Sequence, residues 1–262
     1  MTPNSNMNLT ITLTPELRLE QALQNAGVED PSTITNLTIT GQLTRGLDFK
    51  YIRKRMRKTL QKLDLSGVSI NGNKIGNWSF GGCIALESII IPKTVKKIDT
   101  KAFWGTPDIT TILVHPDNPV FTSENGVLLS KDKATLIAYP SGRQGNYVIP
   151  NSITEIGAGA FGHCTDLTSI IFPNSVKHIG PAAFFACTGL ASIIIPNSVE
   201  KIEAYAFMDC TKLSTVFISE SVVEIGIRAF QDCPAFITVH PDNPVYASEN
   251  GKLIEKNVRF DV

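Results

Sequence analysis

The chain has 262 residues, of which 42% are hydrophobic, and it balances 24 Lys plus Arg against 24 Asp plus Glu. A net charge of zero argues against a dedicated nucleic-acid binder, which needs a broad basic surface. No uninterrupted apolar run reaches membrane-spanning length, so no membrane insertion is expected. The opening Met1–Asn6 also lacks the basic-then-apolar order of an export signal.

In chain order, Thr14–Pro15–Glu16 reads as a helix start, with a capping hydroxyl, Pro at the first position and an acid in the first turn. Leu19, Ala22, Leu23 and Ala26 follow at helical spacing, and Gly27 stops the helix. Thr35–Gly41 alternates as a short strand. A second helix is expected near Leu47–Thr59, with Phe49, Ile52, Met56 and Leu60 on its inner side. Leu60–Gly67 then spells L-x-x-L-x-L, the strand signature of a leucine-rich repeat, and Leu63 follows Leu37 by one long repeat. Residues 68–79, rich in Asn and Gly, are expected to form a loop.

From there a fixed step takes over. Phe161, Phe184, Phe207 and Phe230 stand 23 residues apart, and Cys164, Cys187, Cys210 and Cys233 each follow three residues later. Phe80 and Phe103 keep the same step, and Cys83 follows Phe80 in the same way. A constant period of this length marks a solenoid. In each unit a short strand such as Leu167–Phe172 ends at Pro, which blocks further pairing. Leu167, Ile170, Phe172, Val176, Ile179, Phe184 and Cys187 should face inward, and the outer side should be a single helical or 3-10 turn. Because the five Cys share one repeat position, they read as a column of small buried thiols and not as a disulfide framework or a convergent metal site.

The step breaks once. Val114–Gly126 contains His-Pro-Asp-Asn-Pro, and nearly the same text returns at Val239–Gly251. After the first copy, Val127–Ser130 and Thr135–Tyr139 flank Lys131–Lys133 as a hairpin. The expected organisation is an N-terminal α/β cap over 1–78 and an array over 79–262. That array carries a hairpin insertion at about 115–148 and a C-terminal cap at about 239–262.

The unit I-P-x-S-V-x-x-I-G-x-x-A-F-x-x-C-x-x-L, seen at Ile149–Leu167, Phe172–Leu190 and Ile195–Leu213, resembles the BspA-like leucine-rich repeat family of bacterial surface proteins. The interrupting N-P-V-F/Y unit is similar to one in that family, and residues 33–66 look like its N-terminal capping repeat. The resemblance implies an α/β leucine-rich repeat solenoid with a parallel sheet on its concave face. It also implies a bacterial surface or secreted location and adhesin-like binding, since the better-known members bind host proteins or other cells.

Several motifs are better explained by structure than by chemistry. Gly157–Gly162 matches G-x-G-x-x-G, but the same positions recur in the repeat without a βαβ unit, so no nucleotide is expected. His115 and Asp117, with their copies His240 and Asp242, offer too few ligands for a metal, and turn chemistry explains them. Lys50, Arg53, Lys54, Arg55, Arg57 and Lys58 read first as a solvated helix face, with an anionic partner as the alternative. No acid or nucleophile repeats beside His163 or His178, so neither an enzyme nor a cofactor is expected.

The informative positions point outward from the strands. Ser88, Thr111, Ser169, Ser192 and Thr215 form a hydroxyl column, and Ile90, Leu113, Ile171, Ile194 and Phe217 an apolar one. Strand propensity alone favours such residues, yet a continuous exposed apolar column is unusual on an isolated monomer. The function read from these columns is non-catalytic binding of a protein or glycan on the concave sheet. The alternative is a spacer or self-associating unit of a larger surface protein.

Overall fold

The fold is that of a computed structural model in which residues 7–256 are described; the outermost residues of both expected caps lie outside that range. The chain divides after Lys131 into two compact units.

The first unit opens with a strand absent from the sequence reading, β1 (Met7–Leu13), whose Leu9 and Ile11 pair with Leu37 and Ile39 of β2 (Ile34–Leu43). Between them lies α1 (Leu19–Asn25), which starts later than Thr14. Thr14 instead closes a turn on Leu17. The cap of α1 comes from 29 residues away, where the buried Asp48 accepts the Leu19 N–H at 3.1 Å. Gly27, at φ +74°, ends α1: its N–H donates to Gln24 and that of Val28 to Leu23, a Schellman closure that needs a left-handed residue. α2 (Arg45–Arg55) buries Phe49 and Ile52, and Met56 and Leu60 continue that face. β3 (Lys62–Ile70) aligns Leu63 with Leu37, as the long repeat requires. The segment expected as a loop is more ordered. β3 runs to Ile70, and after a tight turn Lys74–Ile75 pairs with Lys97–Ile98. β4 (Ser88–Ile91) and β5 (Thr111–Val114) complete a five-stranded parallel sheet with β1–β3.

The second unit repeats this in shorter coils. Its main strands are β8 (Gly145–Val148), β9 (Leu167–Ile171), β10 (Ser192–Ile195), β11 (Thr215–Ile218) and β12 (Phe236–Val239). The first unit ends in a hairpin of β6 (Phe121–Glu124) against β7 (Val127–Ser130). Its turn is Asn125–Gly126, both at positive φ, as a tight hairpin turn requires. The second copy repeats it as β13 (Tyr246–Glu249) and β14 (Lys252–Glu255) about Asn250–Gly251. A second column pairs Glu155–Ile156, His178–Ile179, Lys201–Ile202 and Glu224–Ile225 in parallel.

The outer side takes the 3-10 form of the expected short turn. It has i+3 to i hydrogen bonds of the 3-10 kind, such as Ala183 N–H to Gly180 and Phe185 N–H to Ala182. Left-handed residues break these into single turns: Gly159, Ala182, Tyr205 and Arg228 at one position, and His163, Ala186, Asp209 and Asp232 four residues later. Left-handed Ala costs about 1 kcal/mol, and the compensation is a third ladder. The N–H groups of Ala182, Phe184 and Ala186 donate to Ala204, Ala206 and Met208 of the next coil at 2.7–3.0 Å, and the pattern repeats one coil on either side. The N–H groups of these left-handed turns thus find acceptors in the next coil.

Inside, Phe161, Phe184, Phe207 and Phe230 stack at centroid spacings of 4.7, 4.9 and 5.2 Å with interplanar angles of 10° or less. Tyr139 extends the stack 5.0 Å before Phe161, a place the Phe count missed. The thiols of Cys187, Cys210 and Cys233 each donate to the carbonyl of Phe161, Phe184 and Phe207 in the preceding coil, at 2.9–3.1 Å. All five Cys are free thiols.

Candidate binding site

Strand register builds the outward columns. In the first unit Ser88 aligns with Thr111 and Ile90 with Leu113, and the columns continue back through Lys62 and Asp64 to Asn36 and Thr38, and on to Asn8 and Thr10. Sequence reasoning missed this polar extension because it began the repeats at residue 79. A shallow depression of about 360 Å³ lies on it, lined by Asn36, Lys62, Asp64 and Ile90 among others.

In the second unit Ser169 aligns with Asn146 and Ile171 with Val148, while Ser192–Thr215–Phe236 and Ile194–Phe217–Thr238 run across β10–β12. The two pieces are separate ladders. Between β9 and β10 the Ala191 N–H reaches the Thr168 carbonyl only at 3.4 Å, against 2.9 Å for Ser214 to Ala191 one coil on, and the expected uninterrupted column there spans two ladders and not one. None of the ten outward residues is buried. In the second unit Ile171 is 57% and Ile194 69% exposed, joined by Val148 at 62% and Phe236 at 59%, while Phe217 is half-buried. Val148 and Phe236 escaped the sequence reading, although alternation marks both.

The twice-written His-Pro-Asp-Asn-Pro unit turns out to be a fastening. Asn118 is fully buried: its Nδ2 donates to the carbonyls of Pro92 and Val95 at 2.9 Å, and its Oδ1 accepts from Val120 and Phe121. Asn243 repeats all four bonds on Ser219, Val222, Val245 and Tyr246. His115 and His240 each accept an N–H two residues on, from Asp117 and Asp242. In the second copy Glu220 joins His240 and Asp242 as a group able to face a cation. However, His240 Nδ1 already accepts the Asp242 N–H, Glu220 Oε1 accepts Asn197 Nδ2 at 3.2 Å, and Lys93 stands at the place of Glu220 in the first copy.

His178 does have acids beside it, contrary to the sequence reading. Its Nε2 lies 3.2 Å from Glu203 and its Nδ1 3.7 Å from Glu155. Lys201 binds Glu203 and Glu224, and those hydrogen bonds raise the lysine's pKa and lower that of Glu203. Among the described residues these partners form a surface ion network, worth little individually.

On the first unit, α2 turns Lys50, Lys54 and Arg55 toward a cleft of about 270 Å³ that Arg18 shares. Arg53 instead donates to the Ser79 carbonyl at 3.0 Å. Among the described residues, no helix is long and apolar enough to cross a membrane.

The repeat text, stacked coils and outward columns agree with the comparison with known families. Residues 56–144 and 137–247 match the BspA type leucine rich repeat region in six copies. The chain belongs to the BspA type leucine-rich repeat family. No curated protein matches it. Among solved structures, the pneumococcal vaccine antigen PcpA is 22% identical with a TM-score of 0.62; the match covers 89% of this chain but only 62% of that one. A leucine-rich repeat protein from Eubacterium ventriosum is 18% identical with a TM-score of 0.49, covering 87% of this chain and 89% of that one. A leucine rich cell surface protein from Faecalibacterium prausnitzii is 20% identical with a TM-score of 0.48, covering 93% and 87%. At these identities the likeness is one of fold. BspA-type repeats carry their most regular residues in the core, which is why the family is plain and the ligand is not.

Proposed function

We propose that this BspA-type chain is a non-catalytic recognition module of the bacterial cell surface, engaging a protein or glycan through the exposed face of its main strands. The observation that carries the reading is the outward apolar surface of the second unit, where Val148, Ile171 and Ile194 stand more than half exposed beside Ser169, Ser192 and Thr215, and Phe236, as exposed, ends the hydroxyl column. Aromatic and aliphatic anchors bordered by hydroxyls are what an interface core and its rim use. In the first unit the same columns are polar, through Asn36, Lys62 and Asp64, which suits directional hydrogen bonding to a glycan or peptide. The surface placement draws support from the likeness in fold to PcpA, a pneumococcal vaccine antigen.

The test is a paired substitution, Ile171→Lys with Ile194→Lys, assayed against purified host extracellular matrix proteins and intact cells. Both side chains are open, so the variant should fold with an unchanged melting temperature and lose binding by about tenfold or more. Full binding by the folded variant would remove this face from consideration. The same column also fits a second copy of the chain, as in a self-associating spacer. Sedimentation velocity separates the two: a concentration-dependent dimer abolished by the paired lysines would favour assembly.

A further inference from the structure

The cations are unevenly spread. Residues 45–58 hold seven of the chain's 24 Lys and Arg residues and one acid, Asp48. That acid is 2% exposed, and its two carboxylate oxygens accept the N–H groups of Leu19 at 3.1 Å and Thr44 at 2.7 Å. It fastens the starts of α1 and α2 and leaves the surface charge of α2 largely uncompensated. Lys50, Lys54, Arg55, Arg57 and Lys58 are exposed.

Three of them, Lys50, Lys54 and Arg55, line the cleft between α1 and α2. Arg18 closes it from the α1 side, its guanidinium anchored on Thr44 Oγ1. Glu20 is the exposed acid in the lining, against these four cations. Tyr51 is half-buried there and Leu47 open beside it, so the cleft presents a ring and an aliphatic surface together with its charges.

We propose that this cleft binds an acidic saccharide, sulfated or carboxylated, independently of the strand face. Arginine and lysine supply charge-assisted bonds to sulfate or carboxylate oxygens. An aromatic ring offers the apolar face of a sugar something to lie on while its hydroxyl stays available for bonding. The volume, near the lower end of ordinary ligand clefts of about 300 Å³, suits a sugar unit entering a recess. A flat anionic membrane would draw on Arg57 and Lys58 outside the cleft as readily as on its lining, and a nucleic acid would require a broad basic surface, whereas the whole chain is neutral.

The probe is a heparin-derived hexasaccharide, titrated calorimetrically against the full chain, with maltohexaose as the neutral control. Wild type should bind the sulfated sugar and not the neutral one, and added salt should weaken binding. Lys50→Gln with Lys54→Gln should weaken it about tenfold or more. Arg57→Gln with Lys58→Gln removes the same charge outside the cleft and should weaken it less than about threefold. Tyr51→Ala should weaken binding without altering its salt dependence, which a purely electrostatic patch would not show. Both double variants change exposed side chains, and an unchanged melting curve verifies the fold. Absence of hexasaccharide binding would overturn the proposal, as would equal losses in the two double variants. So would tighter binding to phosphatidylserine-containing vesicles or to single-stranded DNA. None of these outcomes bears on the strand face, whose test uses other residues and ligands.

Discussion

Asn243→Ala removes one side chain and four hydrogen bonds. The amide is fully buried, with Nδ2 at 2.8 and 2.9 Å from the Ser219 and Val222 carbonyls and Oδ1 at 2.9 and 2.7 Å from the Val245 and Tyr246 N–H groups. At about 1 kcal/mol net for each bond, the loss is about 4 kcal/mol, and any partner left dry adds to it. Coils contact only their neighbours, so the damage should stay local. Amide hydrogen exchange should show lost protection over β12–β14, with the coils of Phe161 and Phe184 unchanged, and denaturant unfolding should give the total. Asn243→Asp keeps the two accepted bonds but turns carboxylate oxygen toward two carbonyls, and should be at least as damaging. A loss below about 1 kcal/mol, or exchange spread evenly along the second unit, would refute the assignment of this residue as a fastening.

Asn118→Ala, with the same four bonds, should cost a similar amount in the first unit, measured in the same way. Phe184→Ala should cost about 3–5 kcal/mol by denaturant titration, since the ring is fully buried between Phe161 and Phe207. Gly226→Ala would bring a methyl to 2.2 Å from the Ala204 N of the preceding coil and should cost more than about 2 kcal/mol, although φ there is ordinary. Burial pushes the Cys83 thiol from its usual 9 up to about 11. Its folded pKa therefore exceeds its unfolded one. Stability should be intact below about 9 and fall as the pH rises through about 11, with Cys83→Ala showing the shallower decline in pH-dependent melting. Cys187, fully buried and held well above the usual thiol range by burial, should resist alkylation at mildly alkaline pH until the chain is unfolded.

What the sequence made legible was what repeats within one coil. The Phe and Cys columns, the strand-ending Pro and the outward Ile and Ser positions follow from a strict period, and each sits where that period places it. What it hid depends on a neighbour. The start of α1 was misplaced because its cap is Asp48, supplied across the fold, while Thr14–Pro15–Glu16 mimics a local cap. The outer turn has the 3-10 form its length implies, but its left-handed residues stay hidden because Ala182 and Ala186 carry no mark of such a backbone; the next coil's carbonyls hold them there. Asn118 and Asn243 looked like turn residues, and only the preceding coil reveals what their amides bind. β1 alternates plainly at Leu9, Ile11 and Leu13 but lies outside the period, so attention to the repeat passed over it.

The near-parallel rings of Phe184, Phe207 and Phe230, each about 5 Å from the last, have a consequence for how such a chain can change. They act as the teeth of a rack. A duplication or deletion of one whole coil leaves every remaining contact in phase and moves the outward columns by one tooth, whereas a gain or loss of a few residues throws rings, thiols and ladders out of step together. Lineages of this protein should therefore differ in length by whole coils, and a partner that spans several strands would gain or lose footholds in discrete steps.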